Sequence, residues 1–236
     1  MVKISRRTAL KSAMLAGAAA VGATSARAQE GEKIEVPPNA LGLLYDTTMC
    51  IGCKACVVAC RDANGLTNDP GASGGLYQAP DDLNAHTKNI IKLVKVGDTQ
   101  SFIKRQCMHC LDPACVSACM MGALKKRENG IVSWDGDWCV GCRYCQIACP
   151  YNIPKFEWTT AGSFYNPKIV KCELCRHRLA KGQQPACTEV CPRHAVIFGT
   201  REELLKEARR RLAEQPDKYI PHIYGEHEGG GTQVLY

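Results

Sequence analysis

Alternating apolar and polar positions predict short strands in this chain of 236 residues. Residues 90–96 read Ile-Ile-Lys-Leu-Val-Lys-Val, an alternation that is typical of a half-buried strand. The apolar runs 131–134 and 195–198 are shorter, and Asn129-Gly130 before the first of them is a hairpin signal. The pattern therefore predicts short β-hairpins.

One amphipathic helix is predicted near the C-terminus. Thr200-Arg-Glu-Glu203 has the spacing of a capping box, and Pro216 indicates where the helix ends. Its apolar face consists of Leu204, Leu205, Ala208 and Leu212. We expect this face to pack on the core and the run 209–211, three arginines, to be solvated. Residues 62–89, rich in Gly, Pro, Asn and Asp, are predicted to be an extended loop.

The cysteines change this picture, because all sixteen fall into four groups of four. The groups are Cys50, Cys53, Cys56 and Cys60; Cys107, Cys110, Cys115 and Cys119; Cys139, Cys142, Cys145 and Cys149; and Cys172, Cys175, Cys187 and Cys191. Groups one and three read C-x2-C-x2-C-x3-C, the run that holds cubane iron–sulfur clusters in bacterial ferredoxins. Sixteen thiolates at four ligands per cluster predict four [4Fe-4S] clusters.

Internal repeats indicate how the groups are related. The segment 45–56 matches 134–145, and Pro113-Ala-Cys-Val-Ser-Ala-Cys119 matches Pro185-Ala-Cys-Thr-Glu-Val-Cys191. The order is A-B-A-B, which predicts an α+β fold of duplicated bacterial-ferredoxin-like domains with short β-hairpins, cluster-binding loops and a C-terminal helix. We expect an inner ferredoxin unit at about 100–160, inserted in an outer unit of 40–99 plus 161–215, followed by a C-terminal tail at 216–236.

In ferredoxin-type sites the fourth cysteine of a run binds the neighbouring cluster, so the groups must couple in pairs. Either the first pairs with the second and the third with the fourth, or the second pairs with the third and the first with the fourth. We favour the latter, because a predicted hairpin joins groups two and three at the spacing of a small ferredoxin. The predicted ligand sets are Cys50/Cys53/Cys56/Cys191, Cys60/Cys172/Cys175/Cys187, Cys107/Cys110/Cys115/Cys149 and Cys119/Cys139/Cys142/Cys145.

Three other uses of the cysteines are open. Structural zinc takes four thiolates from two C-x2-C pairs, but groups one and three have one thiol too many for that geometry. A Rieske-type site with His177 and His194 would leave Cys172, Cys187 and Cys60 without a cluster. Disulfides would be expected only in an oxidising compartment.

The N-terminus bears on that compartment. Arg6-Arg7 precedes a weakly apolar run at 13–23, and Ala26-Arg27-Ala28 supplies a small-x-small cleavage pattern. We interpret 1–28 as a twin-arginine signal peptide and 29–236 as the mature body. This route exports folded proteins, so clusters inserted in the cytoplasm reach the periplasm with the chain.

The formal charge of +7 does not indicate a nucleic-acid partner. The predicted leader carries five basic residues and no acid, so 30 less 5 leaves 25 basic against 23 acidic side chains. Four oxidised clusters with their thiolates add about −8, which makes the mature holoprotein acidic. Positive side chains beside the ligands would raise cluster potentials, and the candidates are Lys54, Arg143, Lys171, Arg176 and Arg193.

The chain resembles the four-cluster ferredoxin subunits of membrane-associated oxidoreductases, and most closely those of hydrogenase-2-type nickel–iron hydrogenases. The segments that carry the resemblance include Lys104-Arg-Gln-Cys-Met-His-Cys110, Ala148-Cys-Pro-Tyr-Asn152, Lys171-Cys-Glu-Leu-Cys175 and Tyr224-Gly-Glu-His-Glu-Gly-Gly-Gly-Thr-Gln-Val-Leu235. Met120 departs from the proline that usually follows the fourth cysteine of the second group.

The resemblance implies a non-catalytic subunit that relays electrons between a catalytic partner and an integral-membrane quinone-reactive subunit. A hydrogenase partner is favoured, and the alternative is a formate dehydrogenase or other molybdopterin oxidoreductase. A zinc-binding structural or assembly protein is the alternative from another class. Relatives continue into a membrane anchor, whereas this sequence ends at Tyr236, so we expect membrane association through partners.

Overall fold

A computed structural model describes residues 34–67, 82–158 and 167–236. The predicted leader, and residues 68–81 of the predicted loop, lie outside the described residues. The residues from Glu35 to Tyr236 belong to one unit of mutually contacting elements. The predicted division into an inner and an outer ferredoxin unit stays a prediction.

The described elements alternate between short strands and short helices, as expected for an α+β fold. In chain order they are β1 (Leu41–Tyr45), α1 (Ala55–Ala63), β2 (Ile90–Val96), β3 (Thr99–Arg105), α2 (Ala114–Ser117), β4 (Leu124–Lys126), β5 (Val132–Trp134), α3 (Tyr144–Ala148), β6 (Lys155–Glu157), β7 (Lys168–Val170), α4 (Arg176–Leu179), α5 (Ala186–Glu189), β8 (Val196–Thr200), α6 (Arg201–Glu214), a 3-10 turn (Glu228–Gly230) and β9 (Val234–Leu235).

The largest sheet has three strands in the order β8-β1-β9. β1 is antiparallel to β8, with Leu43 opposite Phe198, and parallel to β9, with Leu43 opposite Val234. Gly42 permits the close approach of β9, since a Cβ at this position would lie 2.1 Å from the Gln233 carbonyl oxygen. The C-terminal residues predicted as a tail therefore end in a core strand.

Three hairpins complete the strands that the structure describes: β2–β3, β4–β5 and β6–β7. The strand predicted at residues 90–96 has those bounds, and it pairs with β3 from Ile90↔Arg105 to Val96↔Thr99. The Asn129-Gly130 turn joins β4 to β5, with Gly130 in the left-handed region at φ 80°. These small sheets agree with the predicted hairpins.

Helix α6 has the predicted capping box, with both hydrogen bonds between Thr200 and Glu203 formed. It ends at Glu214, before Pro216, and its buried leucines pack against Leu44 and Leu235. The solvated face predicted for the arginine run holds for Arg209 and Arg210. It does not hold for Arg211, which is half-buried and pairs with the buried carboxylate of Asp46 at 3.0 Å.

The loop predicted at 62–89 is also shorter than expected. Helix α1 continues to Ala63, and Thr87 and Asn89 are buried before β2 begins. A composition rich in turn residues did not reveal this, because the packed residues are themselves polar.

Candidate metal centre

The loops of groups one and three have the same backbone conformation. Gly52 and Lys54 have φ values of 70° and 56°, and Gly141 and Arg143 both have 68°. These residues occupy the two positions that flank the second cysteine of each run. A left-handed conformation at a lysine or arginine costs about 1–3 kcal/mol, so the surrounding structure must hold it. The sequence repeat is therefore a repeat of loop geometry.

Groups two and four use left-handed residues at a related position. His109 and Leu174 each precede the second cysteine of their group, with φ values of 48° and 53°. The third residue after the fourth cysteine is also left-handed in three groups, at Gly122, Asn152 and His194. In group one, α1 continues past Cys60 instead.

The third and fourth cysteines of each group are joined by a turn of helix. Cys56 and Cys60 both lie in α1, and Cys145 lies in α3 with Cys149 at its C-cap. Because residues four apart lie one turn apart along a helix, about 5–6 Å, the two thiols can face neighbouring sites rather than one. This is the local basis for ligand exchange between groups.

We call the four predicted ligand sets sites 1 to 4. Site 1 comprises Cys50, Cys53, Cys56 and Cys191; site 2 comprises Cys60, Cys172, Cys175 and Cys187; site 3 comprises Cys107, Cys110, Cys115 and Cys149; and site 4 comprises Cys119, Cys139, Cys142 and Cys145. The members of sites 1 and 4 each line one cavity, and thiols within sites 2 and 3 interact with one another. Their role as cluster ligands stays a prediction.

The electrostatics of the thiols reflect this crowding. Burial, and then the thiols of Cys107, Cys115 and Cys149, raise the pKa of Cys110 to about 12. In site 4, burial and the neighbouring thiols raise the pKa of Cys145 to about 12 as well. Four thiols in one small space are therefore hard to ionise together unless a positive charge compensates them.

Interactions between thiols of different sets link neighbouring sites. Cys187 of site 2 lies near Cys56 of site 1. Cys172 of site 2 lies near Cys107 of site 3. Cys115 of site 3 lies near Cys145 of site 4. The row therefore runs from site 1 through sites 2 and 3 to site 4.

The solvent-exposed cysteines lie in the sites at the two ends of the row. Cys53 in site 1 and Cys142 in site 4 are the exposed cysteines, and all others are buried or half-buried. Small, mostly apolar cavities lie beside sites 1 and 4. Sites 1 and 4 therefore each have one solvent-exposed cysteine.

The residues at these sites fit iron–sulfur clusters. All sixteen cysteines are free rather than joined in disulfides. Backbone amides donate to the cysteine sulfurs, from Gly52 to Cys50 and from Leu174 to Cys172, both at 3.4 Å. Thiolate ligands with amide donors aimed at sulfur are typical of such clusters. Within the described ranges, no three His, Cys, Asp or Glu side chains form a site for a single metal ion.

The histidines of the Rieske alternative have other surroundings. The His177 ring nitrogen lies 2.8 Å from the Ala63 carbonyl oxygen, on the surface. His194 is exposed, in its left-handed turn. His109 is fully buried, accepts a hydrogen bond from the Val132 amide at 3.0 Å and leaves its other ring nitrogen without a partner. Burial, and then Lys171, lower the pKa of His109 well below its usual value.

The positively charged side chains that were predicted to lie beside the cysteine ligands differ in their burial. Arg143, Arg176 and Arg193 are exposed, and Arg143 stacks over the Trp158 ring at 5.3 Å. Lys54 and Lys171 are buried. Sequence reasoning missed Lys104 in β3, which is also buried, because a lysine in an alternating strand normally faces solvent. Its only signal is its place three residues before Cys107.

Within the part of the chain that the structure describes, we find no helix with the length and apolarity needed to span a bilayer.

Comparisons with known proteins agree with this site. A family model described as a 4Fe-4S dicluster domain matches residues 99–201. The chain is 43% identical, over 270 aligned positions, to the hydrogenase-2 operon protein HybA of Escherichia coli O157:H7, covering 98% of this chain and 80% of that protein. It is 38% identical over 200 positions to the iron-sulfur subunit of the nitrate-inducible formate dehydrogenase of Escherichia coli strain K12, covering 82% and 66%. The formate dehydrogenase iron-sulfur subunit of Haemophilus influenzae is 36% identical over 226 positions, covering 91% and 68%.

Proposed function

The chain belongs to the family of ferredoxin-type iron–sulfur subunits of oxidoreductases, and from this membership we propose that it relays electrons through four [4Fe-4S] clusters. The relay joins a periplasmic catalytic subunit to an integral-membrane quinone-reactive subunit. The chain itself carries no substrate chemistry in this proposal.

The observation that carries the proposal is the row of four thiol sets with exposed ends. The clusters supply reversible one-electron chemistry when bound. The chain's own residues hold them in order, with Cys60, Cys175 and Cys187 buried in the middle. Exposed Cys53 and Cys142 leave the terminal sites accessible to partners. A row with buried cysteines in the middle and an exposed cysteine at each end suits electron transfer between two proteins.

Hydrogenase is the favoured catalytic partner, because identity and coverage are both higher for the hydrogenase-2 operon protein than for the formate dehydrogenase subunits. The formate dehydrogenase assignment is the second candidate. Purifying the native complex from membranes tests the choice. A nickel–iron large subunit supports the first candidate, and a molybdopterin subunit supports the second.

Export by the twin-arginine route is part of the proposal. Arg6-Arg7 and the Ala26-Arg27-Ala28 cleavage pattern support it, and a cluster-loaded chain requires a route for folded proteins. Replacing both arginines by lysine should keep the protein in the cytoplasm with its clusters intact. Cell fractionation with an antibody to the chain measures this.

Metal analysis tests the cluster count. The protein, purified without oxygen, should contain about sixteen irons and about sixteen sulfides per chain, four of each for every [4Fe-4S] cluster. Low-temperature EPR of the reduced protein should show coupled cluster signals. Fewer than about twelve irons, or zinc in place of iron, would contradict the proposal.

A further inference from the structure

Two lysines are almost completely buried beside the thiol sites. Lys104 is 1% exposed and Lys171 is 2% exposed. Lysine is almost never buried to this extent unless it is paired with a negative group. Among the described residues, no carboxylate forms an ion pair with either of them. Their negative partners must be sought among the thiolates and what the thiolates bind.

The ammonium of Lys104 is buried and interacts with thiols of sites 1 and 2. The ammonium donates to the Gln106 side-chain oxygen at 2.5 Å. The backbone carbonyl of Lys104 accepts a hydrogen bond from the Tyr236 hydroxyl. The thiols that interact with this ammonium are those of Cys187, Cys56, Cys172 and Cys60. One of these thiols belongs to site 1 and three belong to site 2.

The ammonium of Lys171 lies between sites 2 and 3. It donates to the Cys172 carbonyl oxygen at 3.0 Å and to the Val132 carbonyl oxygen, and its nitrogen is 3.9 Å from the Cys107 sulfur. These carbonyls fix the ammonium where site 2 and site 3 meet. Both lysines therefore flank site 2, while Lys104 also flanks site 1 and Lys171 also flanks site 3.

We propose that Lys104 and Lys171 set the relative potentials of the clusters, Lys104 acting on sites 1 and 2 and Lys171 on sites 2 and 3. A cluster gains one negative charge when it is reduced, and a fixed buried ammonium nearby stabilises that form. Site 2 gains from both lysines, so its potential depends on both of them. The inference rests on the proposed four-cluster function.

The test is an EPR-monitored redox titration of the whole cluster-loaded protein, with Lys104→Met and Lys171→Met as the variants. Each substitution should lower the equilibrium constant for reduction of two clusters at least tenfold, which is about 59 mV for a one-electron couple. One cluster, that of site 2, should shift in both variants. One cluster, that of site 4, should shift in neither. Lys95→Met, an exposed lysine in β2, should leave all four potentials unchanged.

Retained potentials in both variants, or an equal shift of all four clusters, would overturn the inference. If a methionine variant loses iron, the charge-keeping variants Lys104→Arg and Lys171→Arg decide. If the arginine variants keep their full iron content and near-native potentials, the positive charge is what matters. If the arginine variants lose iron, the inference is overturned. Wild-type protein without four clusters would instead refute the proposed function, so the two failures can be told apart.

Discussion

At the scale of single residues, Gly52 shows how tightly the loops around the sites are packed. Its φ of +70° is unfavourable for other residues, and a Cβ at this position would lie 2.3 Å from the Phe102 ring. Gly52→Ala should therefore destabilise the protein by about 2–4 kcal/mol, combining backbone strain with overpacking. It should also reduce iron content, because the Gly52 amide donates to Cys50.

Gly182→Ala is the matched control for this prediction. Gly182 has the same φ of +70°, but nothing lies within 4 Å of the position a Cβ would take. The control should lose only the stability that a left-handed backbone costs an alanine, about 1 kcal/mol. Thermal unfolding and iron analysis of both variants separate conformation from packing. Equal losses in the two variants would show that the Phe102 contact does not matter.

Asp46 offers a prediction about pH. Burial alone would raise its pKa, but hydrogen bonds from Thr48, Tyr219 and Arg211 lower the pKa below the usual value. A carboxyl whose pKa is lower in the folded state stabilises the protein above the unfolded pKa, near 4. That stability is lost as the pH falls toward the folded pKa. At pH 7, Asp46→Asn should cost about 1–3 kcal/mol.

Melting temperatures between pH 8 and pH 4.5 measure this contribution. The gap between wild type and Asp46→Asn should stay constant down to about pH 5 and then begin to close, as the unfolded wild-type carboxyl takes up protons. Asp98→Asn in the exposed β2–β3 turn should show little gap at any pH. A gap that widens toward low pH would have the wrong sign and refute the account.

At the scale of elements, the two-residue strand β9 has a large structural role. Val234 and Leu235 are fully buried, and β9 pairs with β1 while Leu235 packs beneath α6. Leu235→Ala should cost about 2–5 kcal/mol, since it leaves a cavity in the core. Leu93→Ala, at a residue 48% exposed in β2, should change the melting temperature little. Similar effects of the two substitutions would show that β9 does not anchor the sheet.

What the sequence could predict depends on the range of the interactions. The β2 strand, the Asn129-Gly130 hairpin and the capped helix α6 are set by neighbouring residues, and each leaves a local pattern. β9 leaves no such pattern, because two residues are too few to show a period and their partners in β1 are 191 positions away. The cysteine spacing and the repeats predict the thiol sets, but they do not predict the buried position of Lys104, since it arises only when distant cysteines converge on β3.

At the scale of the whole molecule, the exchange of ligands between sites predicts that replacing two neighbouring cysteines will have different effects. Cys56 and Cys60 lie one turn apart in α1, yet Cys56 belongs to site 1 and Cys60 to site 2. Cys56→Ala should remove the cluster at one end of the row, so the three remaining reduced clusters still interact magnetically. Cys60→Ala should remove the second cluster, so site 1 becomes isolated from sites 3 and 4.

EPR spectra of the fully reduced variants distinguish these outcomes. Cys60→Ala should show one uncoupled cluster beside a coupled pair, whereas Cys56→Ala should show coupled signals alone, and each should retain about twelve irons. Cys142→Ala, at the opposite end, is the matched control and should resemble Cys56→Ala in its coupling. Loss of the same cluster in Cys56→Ala and Cys60→Ala would mean that one group of cysteines fills one site, and the row would then lack the ligand exchange that orders it.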